Sequence, residues 1–265
     1  MASIYEEKHV LFCDILGFSQ AVLCQEVDPA KFLMTFGHLQ AAVKEANRTI
    51  DLDQVSQESG VQYDYIVTPR AEHFSDCIVI STPATNVDAI WLCHAAAEIQ
   101  NMLVRRGFLS RGAICTGLLH HADMSIFGPA FVTAVQREKE TSRPRIAVSP
   151  ETLACFRVAK NAQDAEISSI REQQLLTSDQ SGSVWIDPFH HLKFFANSDR
   201  PPPHQHITAD IAAWSKVLKQ GLRSSDHHVF EKYLWMSEQY NAKLAQPGSW
   251  IQSIEIPSIS MNSGS

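Results

Sequence analysis

The chain has 265 residues, 45% hydrophobic and 19% charged, enough to bury one sizeable core or one core carrying an appended piece. Its 22 basic and 29 acidic residues leave a formal charge of -7 with no polybasic run, which argues against long DNA or RNA as a partner. No apolar window reaches the roughly 20 uninterrupted residues of a membrane span, no secretory leader opens the chain, and the six cysteines stand singly, so a soluble cytoplasmic protein with reduced thiols is expected.

In chain order, HVLFC (9 to 13) is a short apolar run that fits a buried strand, and GFS then turns the chain. Asp28-Pro29 caps and opens a helix whose apolar positions Phe32, Leu33, Phe36, Leu39 and Val43 recur at helical spacing to about residue 47. A polar loop is expected over 48 to 62. Two β-rich runs follow, with a hairpin around residues 70 to 76 and the stronger strand in CIVIST. Asn86 starts a second helix that Gly107 ends, RGAICTGLL (111 to 119) is a strand, and FGPAFVTAVQREKET (127 to 141) is a helix beginning near Pro129. PRIAVS (144 to 149) is a further strand, and Ser149-Pro150 caps a short helix.

The order to residue 150 is β-α-β-β-α-β-α-β, an α+β fold: a ferredoxin-like βαββαβ unit with an extra αβ, its antiparallel-dominated sheet carrying helices on one face. Residues 151–246 read as an extension packed on this core, with a Gln/Ser-rich loop (172 to 183), a strand in VWIDPF, a rigid PPP at 201 to 203 and helices at about 207 to 221 and 226 to 244. Residues 247–265 read as a flexible tail.

One charge in this pattern needs a partner. Asp14, in FCDILGFS, sits inside an apolar run, and a lone carboxylate there costs several kcal/mol. A second, Asp76 in FSDCIVIS, heads another apolar strand, and in a βαββ arrangement the two strands lie side by side. Like charges that close repel unless a cation joins them, and Mg²⁺ or Mn²⁺ with oxygen ligands satisfies both. The turn Leu16-Gly17-Phe18-Ser19 leads toward a helix and exposes backbone N–H groups of the kind that cradle phosphate. The plainer alternative is that Asp14 caps a turn and Asp76 stabilises the hairpin, each with an ordinary partner.

The segment Asp14-Ile15-Leu16-Gly17-Phe18-Ser19 resembles the metal-binding opening of class III nucleotidyl cyclases, D-[IL]-x-G-F-[ST], and Asp76 of FSD matches their second metal aspartate. RGAICTG, FGPAFVTAVQREKE and PRIAVS are similar to the strand, helix and strand that follow in the same family, so the resemblance spans residues 8 to 149 in order. In detail it is most similar to the pyrimidine cyclases of bacterial Pycsar antiphage systems. The resemblance implies a cytoplasmic homodimer that converts UTP or CTP to the 3′,5′-cyclic monophosphate, with UTP weakly favoured, and a separate effector activated by the product.

It also implies two metal ions held by Asp14, Asp76 and the Ile15 carbonyl, and a base-selecting pair that falls on Glu72 and Ser125. The positions where purine cyclases carry a ribose-binding asparagine and a transition-state arginine hold Val132 and Gln136, so the missing charge must come from Arg70, Arg111, Arg137 or Arg145, with Arg111 and Arg137 taken as candidates. The reading of another class is a catalytically silent, cyclase-like nucleotide-binding or dimerisation module, which Val132 and Gln136 favour. Histidine pairs at 120–121, 190–191 and 227–228 lack any zinc spacing and read as surface or loop residues.

Overall fold

The computed structural model describes residues 4–23, 37, 50–51, 66–122, 125–158, 162–196 and 205–257. The helix expected over 29 to 47, most of the 48 to 62 loop, the PPP segment and the last residues of the tail lie outside the described residues. The chain divides into two compact units, Met1–Pro188 and Phe189–Ser265.

The first unit is built on one sheet. Its strands are β1 (Glu6–Ile15), β4 (Arg70–Phe74), β5 (Cys77–Pro83), β6 (Ser110–Ala122), β8 (Ile146–Val148), β9 (Leu176–Ser178) and β10 (Val184–Ile186), in the order β4-β5-β1-β6-β8-β10-β9. Two short strands, β2 (Ile50–Asp51) and β3 (Ile66–Val67), pair separately, and β7 (Ser125–Phe127) pairs with β6 as a hairpin. Strand β1 runs antiparallel to both neighbours, β5 and β6, while β6 and β8 are parallel. This is the split βαβ order expected for a ferredoxin-like core.

Alternation along β1 sorts the two faces. Leu11, Cys13 and Ile15 point to one side, where α2 (Asn86–Arg105) covers them with Leu92, Cys93, Ala96 and Leu103. Thr85 caps this helix, accepting from the Asp88 N–H, and Gly107 turns the chain away at φ +94. Helix α4 (Pro150–Phe156), capped by Ser149, buries Phe156 on the same side.

Val10 and Phe12 point to the other side, and α3 (Pro129–Glu140) packs there through Ala130 and Ala134. Helices therefore cover both faces, where one was expected. The small residues at helical spacing in α3 let it lie close to the sheet, so the second face is buried without large side chains.

The stretch from 151 to 188 belongs to the sheet unit: α5 (Ala162–Leu175) leads into β9, and β10 joins β8 through Trp185 and Ala147. The Gln/Ser-rich loop expected from 172 is thus the end of a helix and a strand, and the turn is confined to Asp179–Ser183, where the Asp179 carboxylate accepts from the Ser181 and Ser183 N–H groups at 3.0 and 3.1 Å.

In the second unit, α6 (Lys193–Ala196), α7 (Gln205–Gly221) and α8 (His227–Lys243) enclose Phe189, whose ring meets Trp214 at 4.8 Å and Tyr240 at 5.9 Å. The stretch 247–257, expected as part of a flexible tail, is anchored. Ile251 and Ile254 are buried, the Asn241 side chain both donates to the Ile254 carbonyl and accepts from its N–H, and the Trp250 indole donates to the Phe195 carbonyl.

Candidate active site

Strand register assembles the site. Asp14, at the end of β1, lies directly between Cys77 on β5 and Arg111 on β6. Asp76 occupies the tight β4–β5 turn beside Ser75, whose φ is +52, and its carbonyl accepts from the Ile15 N–H at 2.9 Å. The turn that brings Asp76 back to β1 is therefore tied to the residue after Asp14.

One oxygen each from Asp14 and Asp76 and the Cys77 sulfur lie within 4.8 Å of one another. The Ser19 hydroxyl, in α1 (Phe18–Leu23), donates to Asp76 Oδ2 at 3.4 Å, and the Cys77 thiol lies 3.9 Å from Asp76 Oδ1. Burial, reinforced by Asp14, Asp76 and Glu138, pushes the Cys77 thiol up to about 12, so it stays a neutral S–H.

Arg111 Nε reaches Asp14 Oδ2 at 3.3 Å and also contacts Glu138 Oε1. Glu138 is 3% exposed, and its carboxyl is raised above the usual carboxylate range by burial, while Arg111 opposes and Asp14 adds to that rise. Two carboxylates, Asp14 and Glu138, thus share the Arg111 guanidinium at the end of β1.

Glu138 was not among the expected site residues, though Ala130, Ala134 and Glu138 recur every four positions, which places a carboxylate on the buried stripe of α3. The two aspartates are a hard-oxygen donor pair that fits Mg²⁺ or Mn²⁺.

Of the turn expected to cradle phosphate, Gly17 takes φ +76 and so permits the reversal, but the Leu16 N–H is already given to the Leu109 carbonyl at 2.9 Å. Gly17, Phe18 and Ser19 form the junction between β1 and α1. Glu72 is on the same face as Asp14, opposite Val79, which itself pairs with Phe12. Ser125 is exposed at the start of β7, opposite Ala122.

The four arginines separate clearly. Arg111 joins the site. The charge of Arg137 acts on Cys115 and Glu151, further along the sheet. Arg145 pairs with Asp179 at 3.2 Å and lies over the Trp185 ring, and Arg70 is exposed at the start of β4.

Two of the histidines expected as surface or loop residues are buried, His121 on β6 and His190 in a turn. His121 stands at the far end of β6, and the outward-inward alternation of that strand carries its ring to the Asp14 face. Its Nδ1 is 2.8 Å from Ser81 Oγ and its Nε2 is 3.6 Å from Glu72 Oε1.

No family model and no curated protein matches the chain. Similar solved structures are nucleotidyl cyclase domains. The adenylyl cyclase CyaB from P. aeruginosa is 16% identical over 69% of this chain and 92% of that one, at a TM-score of 0.41. The monomeric guanylyl cyclase domain of the RhoGC fusion protein from the aquatic fungus Blastocladiella emersonii is 16% identical, covering 69% and 95%, also at 0.41. The catalytic core of a rhodopsin-guanylyl cyclase with converted specificity, in complex with ATPαS, is 14% identical over 69% and 95%, at 0.40.

Proposed function

We propose that this chain is a metal-dependent nucleotidyl cyclase that converts a pyrimidine nucleoside triphosphate, UTP in preference to CTP, to its 3′,5′-cyclic monophosphate and pyrophosphate. The observation that carries the reading is the convergence of Asp14, at the end of β1, and Asp76, in the β4–β5 turn, with ligand atoms within 4.8 Å in a half-buried setting. Two carboxylates held this close repel; Arg111, 3.3 Å from Asp14, offsets part of that cost and a divalent cation would offset the rest.

The reaction is an intramolecular displacement. The ribose 3′-oxygen forms a bond to the α-phosphorus, the bond from that phosphorus to the bridging oxygen breaks, pyrophosphate leaves, and the hydroxyl proton passes to solvent. Bound Mg²⁺ or Mn²⁺, two ions by the family resemblance, supplies acidification of the hydroxyl and neutralisation of phosphate charge. Asp14, Asp76 and the Ile15 carbonyl hold the ions. Arg111, oriented by Glu138, offers the guanidinium that Gln136 cannot, and Arg137 remains a candidate for the same role. Gly17, Phe18 and Ser19, with Leu16, shape the phosphate side of the site, while Glu72 and Ser125 face the base.

In this reading the enzyme is a homodimer, with the base pocket of each site drawn from the partner, residues 1–150 forming the catalytic core and 151–246 an extension. Exposed Leu118 and Phe127 on the β6–β7 hairpin and Val132 on α3 offer apolar side chains for that contact. The cyclic product serves as the signal of a bacterial antiphage system and acts on a separate effector.

Purified protein incubated with each of the four nucleoside triphosphates and Mn²⁺ should yield a cyclic pyrimidine nucleotide, identified by chromatography and mass. Absence of any cyclic product, or an Asp76→Ala protein as active as wild type, overturns the assignment. A second reading, a silent nucleotide-binding or dimerisation module, is favoured by the exposed Val132 and Gln136 at positions where purine cyclases carry catalytic groups. Heat of binding with UTP and Mg²⁺ in the absence of turnover would select it.

A further inference from the structure

The face that carries Asp14 also carries a chain of three polar side chains, Ser81, His121 and Glu72, of which the first two have no part in the chemistry above. Ser81 on β5 and His121 at the end of β6 are 1% and 4% exposed, and Ser81 Oγ lies 2.8 Å from His121 Nδ1. The other ring nitrogen, Nε2, is buried without a hydrogen-bond partner and points at Glu72 Oε1, 3.6 Å away. Burial, with the charges of Arg70, Lys8 and His120, holds His121 down to about 4, so the ring is neutral and carries one proton.

A neutral imidazole next to a carboxylate keeps its proton on the nitrogen that faces it, and the other nitrogen then accepts from a hydroxyl. The Ser81 O–H therefore donates to Nδ1 and the Nε2–H is left aimed at Glu72. A small rotation of the Glu72 side chain closes that bond, which satisfies a buried donor otherwise left unpaired. The order Ser81 to His121 to Glu72 spans β5, the β6–β7 hairpin and β4, so it ties the edge strand bearing Glu72 to the interior of the sheet.

We propose that Ser81 and His121 are positioning residues that fix the Glu72 carboxylate in one orientation and thereby make it a discriminator between pyrimidine bases; this rests on the reading of Glu72 as a base-facing group. A carboxylate only accepts hydrogen bonds. The donor it can meet on uracil is the ring N3–H, whereas on cytosine it is the exocyclic N4 amine, one bond further out. An oxygen held in one place serves one of these donors well, and an oxygen free to swing serves both.

The test compares wild type with His121→Ala, Ser81→Ala and His121→Gln, whose amide N–H restores a donor at similar reach. The measured quantity is the ratio of kcat/KM for UTP to that for CTP, with Mn²⁺. We expect the ratio to fall about tenfold toward unity in His121→Ala and less in Ser81→Ala, to return substantially in His121→Gln, and kcat with the preferred nucleotide to stay within about threefold of wild type. A loss of stability alone would lower both rates and leave the ratio in place, and an unchanged ratio in folded variants overturns the proposal.

Nitrogen chemical shifts of the His121 ring in the full-length wild type give a readout independent of turnover. An Nε2–H tautomer that becomes mixed in Glu72→Gln supports the relay, and an Nδ1–H tautomer overturns it. If wild type cyclises none of the four nucleotides, the proposed function falls and the ring tautomer decides the relay alone.

Discussion

Asp14 and Asp76 face each other at the end of β1 with repulsion built in, and that repulsion gives a measurement that does not depend on turnover. Mn²⁺ should raise the thermal midpoint of wild type, because a ligand that binds only the folded chain stabilises it by mass action, by about 2.7 kcal/mol at a hundred times its Kd. Asp76→Asn should start at or above the wild-type midpoint in chelator, having lost one of two like charges, and should gain little from Mn²⁺. Its cyclase activity should fall at least about 100-fold. A calorimetric scan in which wild type and Asp76→Asn respond equally to the ion contradicts a shared site.

His121 belongs to the same scale and gives a pH signature. Its ring is depressed from 6.5 to about 4, chiefly by burial. Between these values the unfolded chain takes up the proton and the folded chain does not, so the associated stability is fully present above pH 6.5 and is lost as pH falls through about 4. The amount is on the order of 3 kcal/mol. Scans from pH 7 down to pH 4 should therefore show a shallower loss of stability in His121→Gln than in wild type, and parallel curves would place the buried charge elsewhere.

At the level of elements, the tightest contact in the site is backbone on backbone. A Cβ on Gly112 would sit 2.2 Å from the Phe12 carbonyl oxygen, so β6 approaches β1 more closely there than any side chain allows. Gly112→Ala should force the strands apart beside the Asp14–Arg111 pair and cost about 2–4 kcal/mol, seen as a lower denaturation midpoint, with activity falling further than stability alone explains. A variant as stable as wild type would contradict the geometry.

The sequence reveals RGAICTG as a strand by its short apolar run, but it does not reveal why the glycine is there, since close approach is a property of two strands. The same distinction runs through the whole site. Asp14 and Asp76 were legible because a charge in an apolar run is anomalous wherever it falls. Glu138 and His121 were not, since each looks like an ordinary polar residue until α3 and the β6–β7 hairpin fold over the second face of the sheet. The polar helix Ala162–Leu175 escaped for the converse reason, having too weak an apolar stripe to mark it before β9 and β10 extend the sheet beside it.

At the scale of the whole molecule, the proposed function needs two copies to complete each site, and exposed apolar side chains make that testable. Leu118, Phe127 and Val132 are 49%, 41% and 53% exposed, the first two on the β6–β7 hairpin and the third on α3. Val132→Asp should shift the chain to a monomer by sedimentation and remove activity while leaving the thermal midpoint of the folded chain nearly unchanged, since the side chain is not part of the core. The sharper experiment mixes a protein that cannot hold the ion with one that cannot select the base. If the metal carboxylates of one protomer serve the base-facing Glu72 of its partner, Asp76→Ala and Glu72→Ala copies combine into heterodimers in which one site carries both lesions and the other carries neither. Random mixing makes half of the dimers mixed, each with one intact site of two, so UTP-selective turnover should return to about a quarter of the wild-type value per total protein. Failure of the mixture to regain UTP-selective turnover, with both variants folded and dimeric, would mean that Asp76 and Glu72 act within one chain, and the base pocket would have to be built from this protomer alone.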